Sequence, residues 1–379
     1  MSKLKIVTIG GGNGQSNLLD ALYRYGEEAY EISSIVSMSD DGRTTGELMK
    51  KFQDELGLHL PPPGDLRRCL FMMSSSPLRD EFQQYLETVI ERDIQIFKLT
   101  IGEYFTLVGA DDNFLKRIHE TEKNILDFKL PLNSSIKGHK VGNILMANLY
   151  YNLDKDYNSM LSVMHKLLDV KANIIPVTTK KAYIKAILGN GEVIESQDRI
   201  SNVASYTSGI ADLRLMEDSK NAYQHRDVFK VIKKADYIII SPGDLFTSTI
   251  SNFVVGGVSE VIKKSDAKII YIGNSTNKGG ETQGLTCLDF VNTIERFLGR
   301  RIDVYLCNNK KLDLSKTDRE RFQSNVSVKG GDFLYLSDGE KSELERRNIR
   351  FLEADLLDRE SFYKHDKKSL VHELKKLLT

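Results

Sequence analysis

Short apolar runs alternate with amphipathic stretches along most of the chain. Lys5–Ile9 is a brief β-branched run, and Asn17–Tyr25 after it carries its apolar positions on one helical side. A second strand is expected near Ser34–Ser37, with helices at Glu47–Leu56, Asp65–Met73 and Pro77–Ile90. Val141–Leu153 and Ser159–Leu168 read as helices, and "NIIPVT" as the strand after them. "KAYIKAILGNGEVIES" then alternates on either side of Asn190-Gly191, a hairpin signal in which both turn positions are expected at positive φ. "ADYIIISPGD" ends a buried strand, Asn252–Lys264 reads as a helix, and "AKIIYIGNS" is the next strand. A helix at Leu288–Leu298, the runs "IDVYLCN" and "DFLYLSD", a helix after Gly339, "IRFLEADLL" and a final helix from Lys368 complete the pattern.

Strands alternating with helices predict an α/β fold of three layers, a mostly parallel sheet covered on both faces. Two departures are expected from it. Residues 180–200 form a β-hairpin excursion, and Asp93–Pro131, charged and without strand periodicity, forms a helical insertion or lid. No internal repeat or low-complexity linker is visible, and Gly330–Gly331 reads as a loop, so one domain over residues 1–379 is expected. In such sheets ligands bind beyond the carboxyl ends of the strands, at a switch in strand order.

Composition narrows the partners. The 53 basic and 53 acidic residues cancel, which gives no bulk attraction to nucleic acid or to a membrane surface. No apolar run approaches the roughly 18 residues of a membrane span, and with no apolar segment and cleavage site visible before the first strand no signal peptide is expected. Cys69, Cys287 and Cys307 are scattered, with no CxxC, which argues for a reducing cytosol and a cytoplasmic protein.

The stretch "VTIGGGNGQSNLLDAL" has the form strand, glycine loop, helix. Gly10, Gly11, Gly12 and Gly14 allow backbone amides to approach a diphosphate while the helix aims its positive end at it. The dinucleotide fingerprint fails, because its third position is Gln15 or Asn17, and the ribose-binding acid is late at Asp40. No GxxxxGK[ST] is present, so P-loop hydrolysis is disfavoured. The bare alternative is a structural turn.

Four more clusters fall at strand ends or helix starts. In "SDDGRTTG", Asp40 and Asp41 suit a hydrated divalent cation, ribose hydroxyls, or simply a turn. In "PPPGDLRRC", Asp65 is an expected N-cap. Arg67 and Arg68 oppose the helix dipole unless a phosphate, or a nearby aspartate, takes them up. "GHKVGN" offers His139 as a hydrogen-bond donor to a phosphate, a proton carrier or a structural residue, and ends at Asn143. "SPGDLFTSTISN" presents Ser241, Gly243, Thr247 and Ser248 as a second anion cradle, complicated by Asp244. "GNSTNKGGETQG", the loop after the next strand, carries Asn274 and Glu281 for a polar ligand.

These stretches, in this order and approximate spacing, resemble the CofD/YvcK family along nearly the whole chain, and "IRFLEADLLD…HD" is similar to its last strand and helix. The chain departs from the family pattern at Arg43, Arg68, Asp244, Phe246 and Gln283. The resemblance implies one Rossmann-like, ligand-binding fold with two functional branches. CofD proteins move a 2-phospho-L-lactate group from a nucleotide-diphosphate donor to a deazaflavin with magnesium. YvcK-type gluconeogenesis factors bind UDP-sugars in the cytosol and affect cell shape and wall metabolism.

"GHKVGN" and "SPGDLFTS" lie closer to the second branch. The leading expectation is therefore a nucleotide-diphosphate binder, a UDP-sugar first among ligands. Gly10, Gly11, Gly12, Asn13 and Gly14 would face the diphosphate. Asp65, Arg67, His139, Asn143, Ser241, Gly243, Thr247, Ser248, Asn274 and Glu281 complete the expected nucleotide and phosphate set. The enzyme alternative makes Asp40 and Asp41 catalytic residues that position Mg²⁺. An NAD-dependent enzyme is the third reading. Sheet edges leave room for a homodimer, and a regulatory protein partner has no sequence signature.

Overall fold

A computed structural model of the chain describes residues 3–95, 99–202, 208–325 and 330–378. Two compact units emerge, one of Met1–Ser39 with Ile174–Thr379, the other of Asp40–Asn173. They are called the sheet unit and the helical unit below.

In the sheet unit the β-branched runs become strands β1 (Leu4–Gly10), β2 (Tyr30–Val36) and β3 (Asn173–Pro176), with β7 (Tyr237–Ile240), β8 (Lys268–Ile272), β9 (Val304–Asn308) and β10 (Arg350–Ala354). They form one parallel sheet in the order β10-β9-β8-β7-β1-β2-β3. Every residue of β7 and β9 is buried, as are the last five of β1. Burial at consecutive positions means both faces are covered, which is why these runs are mostly apolar rather than alternating. The chain lays β2 and β3 on one side of β1, then returns to place β7 on the other, so strand order reverses between β1 and β7. Ile9 pairs with Ile240, β1 ends one residue later at Gly10, and Ser241 follows β7 beside it. The first helix, α1 (Gly12–Tyr25), starts at that edge.

A second sheet, three antiparallel strands in the order β5-β4-β6, comprises β4 (Ile184–Leu188), β5 (Val193–Glu195) and β6 (Ile210–Leu215). The hairpin is present, but its turn differs from the expected one. Gly191 alone takes positive φ (86°), while Leu188 O accepts from Gly191 N and Asn190 Oδ1 accepts from Glu192 N at 3.0 Å. The asparagine supports the turn with its side chain instead of adopting left-handed backbone. Strand β6 was not foreseen.

Two other expectations change. Asn252–Lys264 is not one helix. A π-helical turn at Leu245–Ile250 runs into Ser251–Phe253, then Gly257 (φ 85°) breaks the chain before a helix at Val258–Lys263. "DFLYLSD" joins no sheet beyond one bridge, Phe333 to Thr276. It lies along the loop after β8, with Leu334 N donating to Ser275 O and Asp332 N to Asn277 Oδ1. Gly331 permits this approach, since a Cβ there would strike the Asn277 carbonyl.

The helical unit holds α2 (Arg43–Leu56), α3 (Gly64–Met72), α4 (Arg79–Glu87), α5 (Ile101–Leu107), α6 (Asp112–Thr121), α7 (Val141–Asn152) and α8 (Tyr157–Leu168). Residues 141–150 of α7 are all buried, as suits a helix apolar on every side, with α3, α4 and α8 around it. The charged stretch 93–131 holds the expected helices at Ile101–Leu107 and Asp112–Thr121, with a short 3-10 turn at Ile125–Asp127 and isolated bridges at Gln95 and Thr100. Its residues 96–98 lie outside the described residues. A capping box of Thr100 and Glu103 starts α5, and Asp111 caps α6. Phe114 packs edge-on against Phe82 and Tyr85, with centroids 4.9 and 4.7 Å away, and fixes α6 on α4.

Candidate functional site

The glycines after β1 serve two ends. A Cβ on Gly10 would land on the Ser241 hydroxyl, and one on Gly14 would land on the Pro242 carbonyl. Those two glycines let the β1 and β7 turns touch. Gly12 is left-handed (φ 60°), with Ser248 Oγ 3.2 Å from the position of a Cβ. Gly11 takes the N-cap position of α1, where no side chain caps the helix and no acidic residue stands in the first turn. Asn13 is exposed on that turn. An end so arranged presents its partial positive charge uncompensated by any carboxylate of its own. Gln15, which breaks the dinucleotide fingerprint, is wholly buried and donates to Thr8 Oγ1 at 2.8 Å and Ser34 Oγ at 2.6 Å. It ties α1 to β1 and β2, a job that glycine or alanine cannot do.

The turn after β7 is built from serines and threonines and is filled from within. Ser241 Oγ donates to Ile9 O at 3.2 Å. Ser37 and Ser39, just past β2, hold the same turn through Ser251 Oγ (2.9 Å) and Thr247 O (3.1 Å). Asn274 Nδ2 donates to Gly243 O at 2.7 Å. Glu281 is buried, and its Oε1 accepts from Phe246 N (2.9 Å), Thr247 N (3.0 Å) and Thr247 Oγ1 (3.2 Å). Thr247 and Glu281, expected to meet a ligand, are thus given to each other, and this turn's amides already face an anion. Burial, then the Asp244 charge, pushes the Glu281 carboxyl up to about 7.

Asp244, the expected obstacle to phosphate, has a cation of its own. Lys278 Nζ lies 2.5 Å from Asp244 Oδ2, 2.8 Å from Ser201 Oγ and 3.7 Å from Glu281 Oε2, with its side chain only 10% exposed. Ser248 stays beside Gly12, and its hydroxyl has no hydrogen bond among the described residues.

The helical unit gathers the other candidates in two groups. Asp40 accepts from Gly42 N at 3.2 Å and lies against the start of α3, where its Oδ2 is 3.2 Å from the position of a Cβ on Gly64. Burial first, and then the Asp65 charge, raises its carboxyl to about 6. The Asp41 carbonyl stands where a Cβ on Gly46 would be, so it is part of the start of α2. Asp65 is not the N-cap: α3 begins at Gly64 with Pro63 in that place, and Asp65 pairs with Arg68 one turn on. Arg68 therefore finds the nearby aspartate.

Arg67 does not. It is buried, Nε donates to Asn143 Oδ1 at 2.9 Å, and Nη1 pairs with Glu87, which Lys140 also holds at 2.5 Å. Gly142 of "GHKVGN" clears its path, as a Cβ there would be 2.5 Å from Arg67 Cδ. Arg67 and Asn143 thus spend their polar groups inside the unit. His139 is fully buried, and Lys51 Nζ donates to its Nε2 at 3.1 Å. Burial and then the Lys51 charge lower its pKa to about 4, so at neutral pH it carries no charge for a phosphate.

For magnesium, the residues present are a poor set, since Asp65 is already paired with Arg68 and burial raises the Asp40 carboxyl to about 6. Among the described residues no three His, Cys, Asp or Glu side chains gather as metal ligands. No helix among them is long and apolar enough to cross a membrane. Lys278, Glu87 and Lys51 were not singled out from the sequence, and Gln15 was read only as a break in the dinucleotide fingerprint. Lys278 had one signal, a lysine three residues before the buried glutamate in a loop of small residues.

A parallel α/β sheet whose order reverses at two polar, glycine-bearing turns is the class of doubly wound α/β folds. Residues 6–357 match the family model described as "2-phospho-L-lactate transferase CofD", and the chain belongs to that family. A "Putative gluconeogenesis factor" of Thermotoga maritima is 28% identical over 87% of this chain and 85% of its own length. A "Gluconeogenesis factor" of Halalkalibacterium halodurans is 28% identical over 78% of this chain and 74% of its own. The crystal structure of a UPF0052-family protein from Bacillus halodurans aligns with a TM-score of 0.75 at 23% identity, over 99% of this chain and 100% of that one, a likeness of fold.

Proposed function

We propose that this chain is a nucleotide-diphosphate-binding protein of the gluconeogenesis-factor type, responsive to a UDP-sugar and regulatory in carbon and cell-wall metabolism or cell shape. The diphosphate binds at the start of α1. The observation that carries this is the contrast between two adjacent turns at the reversal of strand order. One has its amides capped by Glu281, while the other begins α1 without a side-chain cap or an acidic residue in its first turn. Ser248 adds a hydroxyl beside Gly12. An anion at α1 meets the helix dipole and a hydroxyl together.

Calorimetry with UDP-N-acetylglucosamine, UDP-glucose, GDP and NAD tests the proposal. Binding of the uridine nucleotides ahead of NAD, without turnover, is the expected result, and binding of NAD alone defeats it.

One observation favours a transferase as second reading. Asp40, raised to about 6, is matched to proton transfer near neutral pH, and a deazaflavin hydroxyl is the acceptor such a base would serve. Product formation from a nucleotide-diphosphate donor and a deazaflavin, lost in Asp40→Asn, would establish it.

A further inference from the structure

Asp244 sits one residue past Gly243, and its carbonyl accepts the amide of Ser248, the residue whose hydroxyl faces Gly12. A carboxylate so close to a phosphate position should repel the ligand, by Coulomb's law at low effective dielectric. The sheet unit answers this with one ammonium. Lys278 comes from the loop after β8, reaches Asp244 at 2.5 Å and Glu281 at 3.7 Å, and donates to Ser201 of the helix Gln197–Asn202 at 2.8 Å. Its own loop is held in shape, since Lys278 N donates to Thr282 Oγ1 at 2.8 Å and Lys278 O accepts from Thr282 N. Glu281, three residues on, caps Phe246 and Thr247. The loop therefore brings the capping carboxylate and the balancing cation to the same turn.

We infer that Lys278 is the positioning residue of the anion cradle: its ammonium cancels Asp244 and shares Glu281, and so holds the 243–248 turn in a form a nucleoside diphosphate can approach. This rests on the proposed nucleotide reading. Removing the ammonium leaves two carboxylates without their cation beside the ligand, and that electrostatic cost falls on anion binding more than on folding.

The test measures the affinity for uridine diphosphate by calorimetry in the full chain, alongside thermal stability. Lys278→Met should weaken binding by about tenfold or more, Lys278→Arg should stay within about threefold of the parent, and Lys278→Met with Asp244→Asn should recover most of the loss. A purely structural lysine predicts otherwise. Lys278→Met would then lower stability with unchanged affinity, or lose affinity that Asp244→Asn fails to restore, and either result overturns the inference. If the parent chain binds no uridine diphosphate, the nucleotide reading fails on its own. The lysine is then judged by hydrogen exchange in the ligand-free chain. Faster exchange of the Phe246 and Thr247 amides in Lys278→Met, with α1 unchanged, supports its hold on the turn, and equal exchange refutes it.

Discussion

The turns after β1 and β7 occupy equivalent places in the sheet and have opposite electrostatics. Both leave the carboxyl end of a central strand, and both start a helical segment. At β7 the first amides are satisfied by Glu281, brought in from the next loop. At β1 the N-cap is a glycine, and no carboxylate stands in the first turn. A helix start is an anion site by default, and the protein decides which of its starts to fill from its own residues. Small hydroxyl residues alone did not distinguish the turn that Glu281 fills from the one without a carboxylate in its first turn.

That contrast breaks most sharply where the two turns touch. Gly14→Ala places a methyl on the Pro242 carbonyl, and a shift of backbone there should cost about 3 kcal/mol or more, read as a lowered urea midpoint with little change in slope. Next in size is Glu281→Ala. It strands two buried amides and leaves Lys278 with Asp244 alone, so a loss of about 2–4 kcal/mol in urea unfolding is expected. A loss below about 0.5 kcal/mol would show that the β7 turn needs no internal anion.

Asn13→Asp sharpens the comparison from the other side by giving α1 the carboxylate it lacks. Stability should hold or rise by about 0.3–1 kcal/mol, while affinity for uridine diphosphate falls by about tenfold. Unchanged affinity would move the ligand away from α1. The smallest effect is on pH dependence. Burial lowers His365 from 6.5 to about 4 in the folded chain, beside Ser275 of the sheet unit. A folded pKa below the unfolded one means that the neutral ring's contribution is complete above about pH 6.5 and fades as pH falls toward about 4. Urea unfolding of His365→Gln across that window should show a shallower decline than the parent. An equally steep decline in the variant would assign the loss elsewhere, with His139, lowered to about 4 in the helical unit, as the first alternative.

Much of the architecture was legible because its signals are local. The runs at Ile6–Ile9, Tyr237–Ile240 and Ile269–Ile272 are buried at every position and almost wholly apolar, as a parallel strand covered on both faces requires. The hairpin announced itself through Asn190-Gly191, although the exact turn did not, since side-chain support can replace a second positive φ. Strand β6 was missed because Ile210–Leu215 is half-exposed and mixes charge with apolar residues. The candidate site was legible as a set of positions and not as a set of roles. Arg67 looked like a phosphate ligand, yet it is taken by Glu87 and Asn143, twenty and seventy-six residues away.

By itself, then, the sequence determined the α/β pattern, the glycine turns at strand ends and the family, because strand propensity, helix periodicity and glycine's freedom act over a few residues. Only the tertiary structure decided which charges are spent inside the protein. Glu281 caps a turn thirty-five residues earlier, and Lys278 neutralises an aspartate thirty-four residues back. The reason is that the energy of a desolvated charge depends on its distance from partners in space, and separation along the chain carries almost no information about that distance.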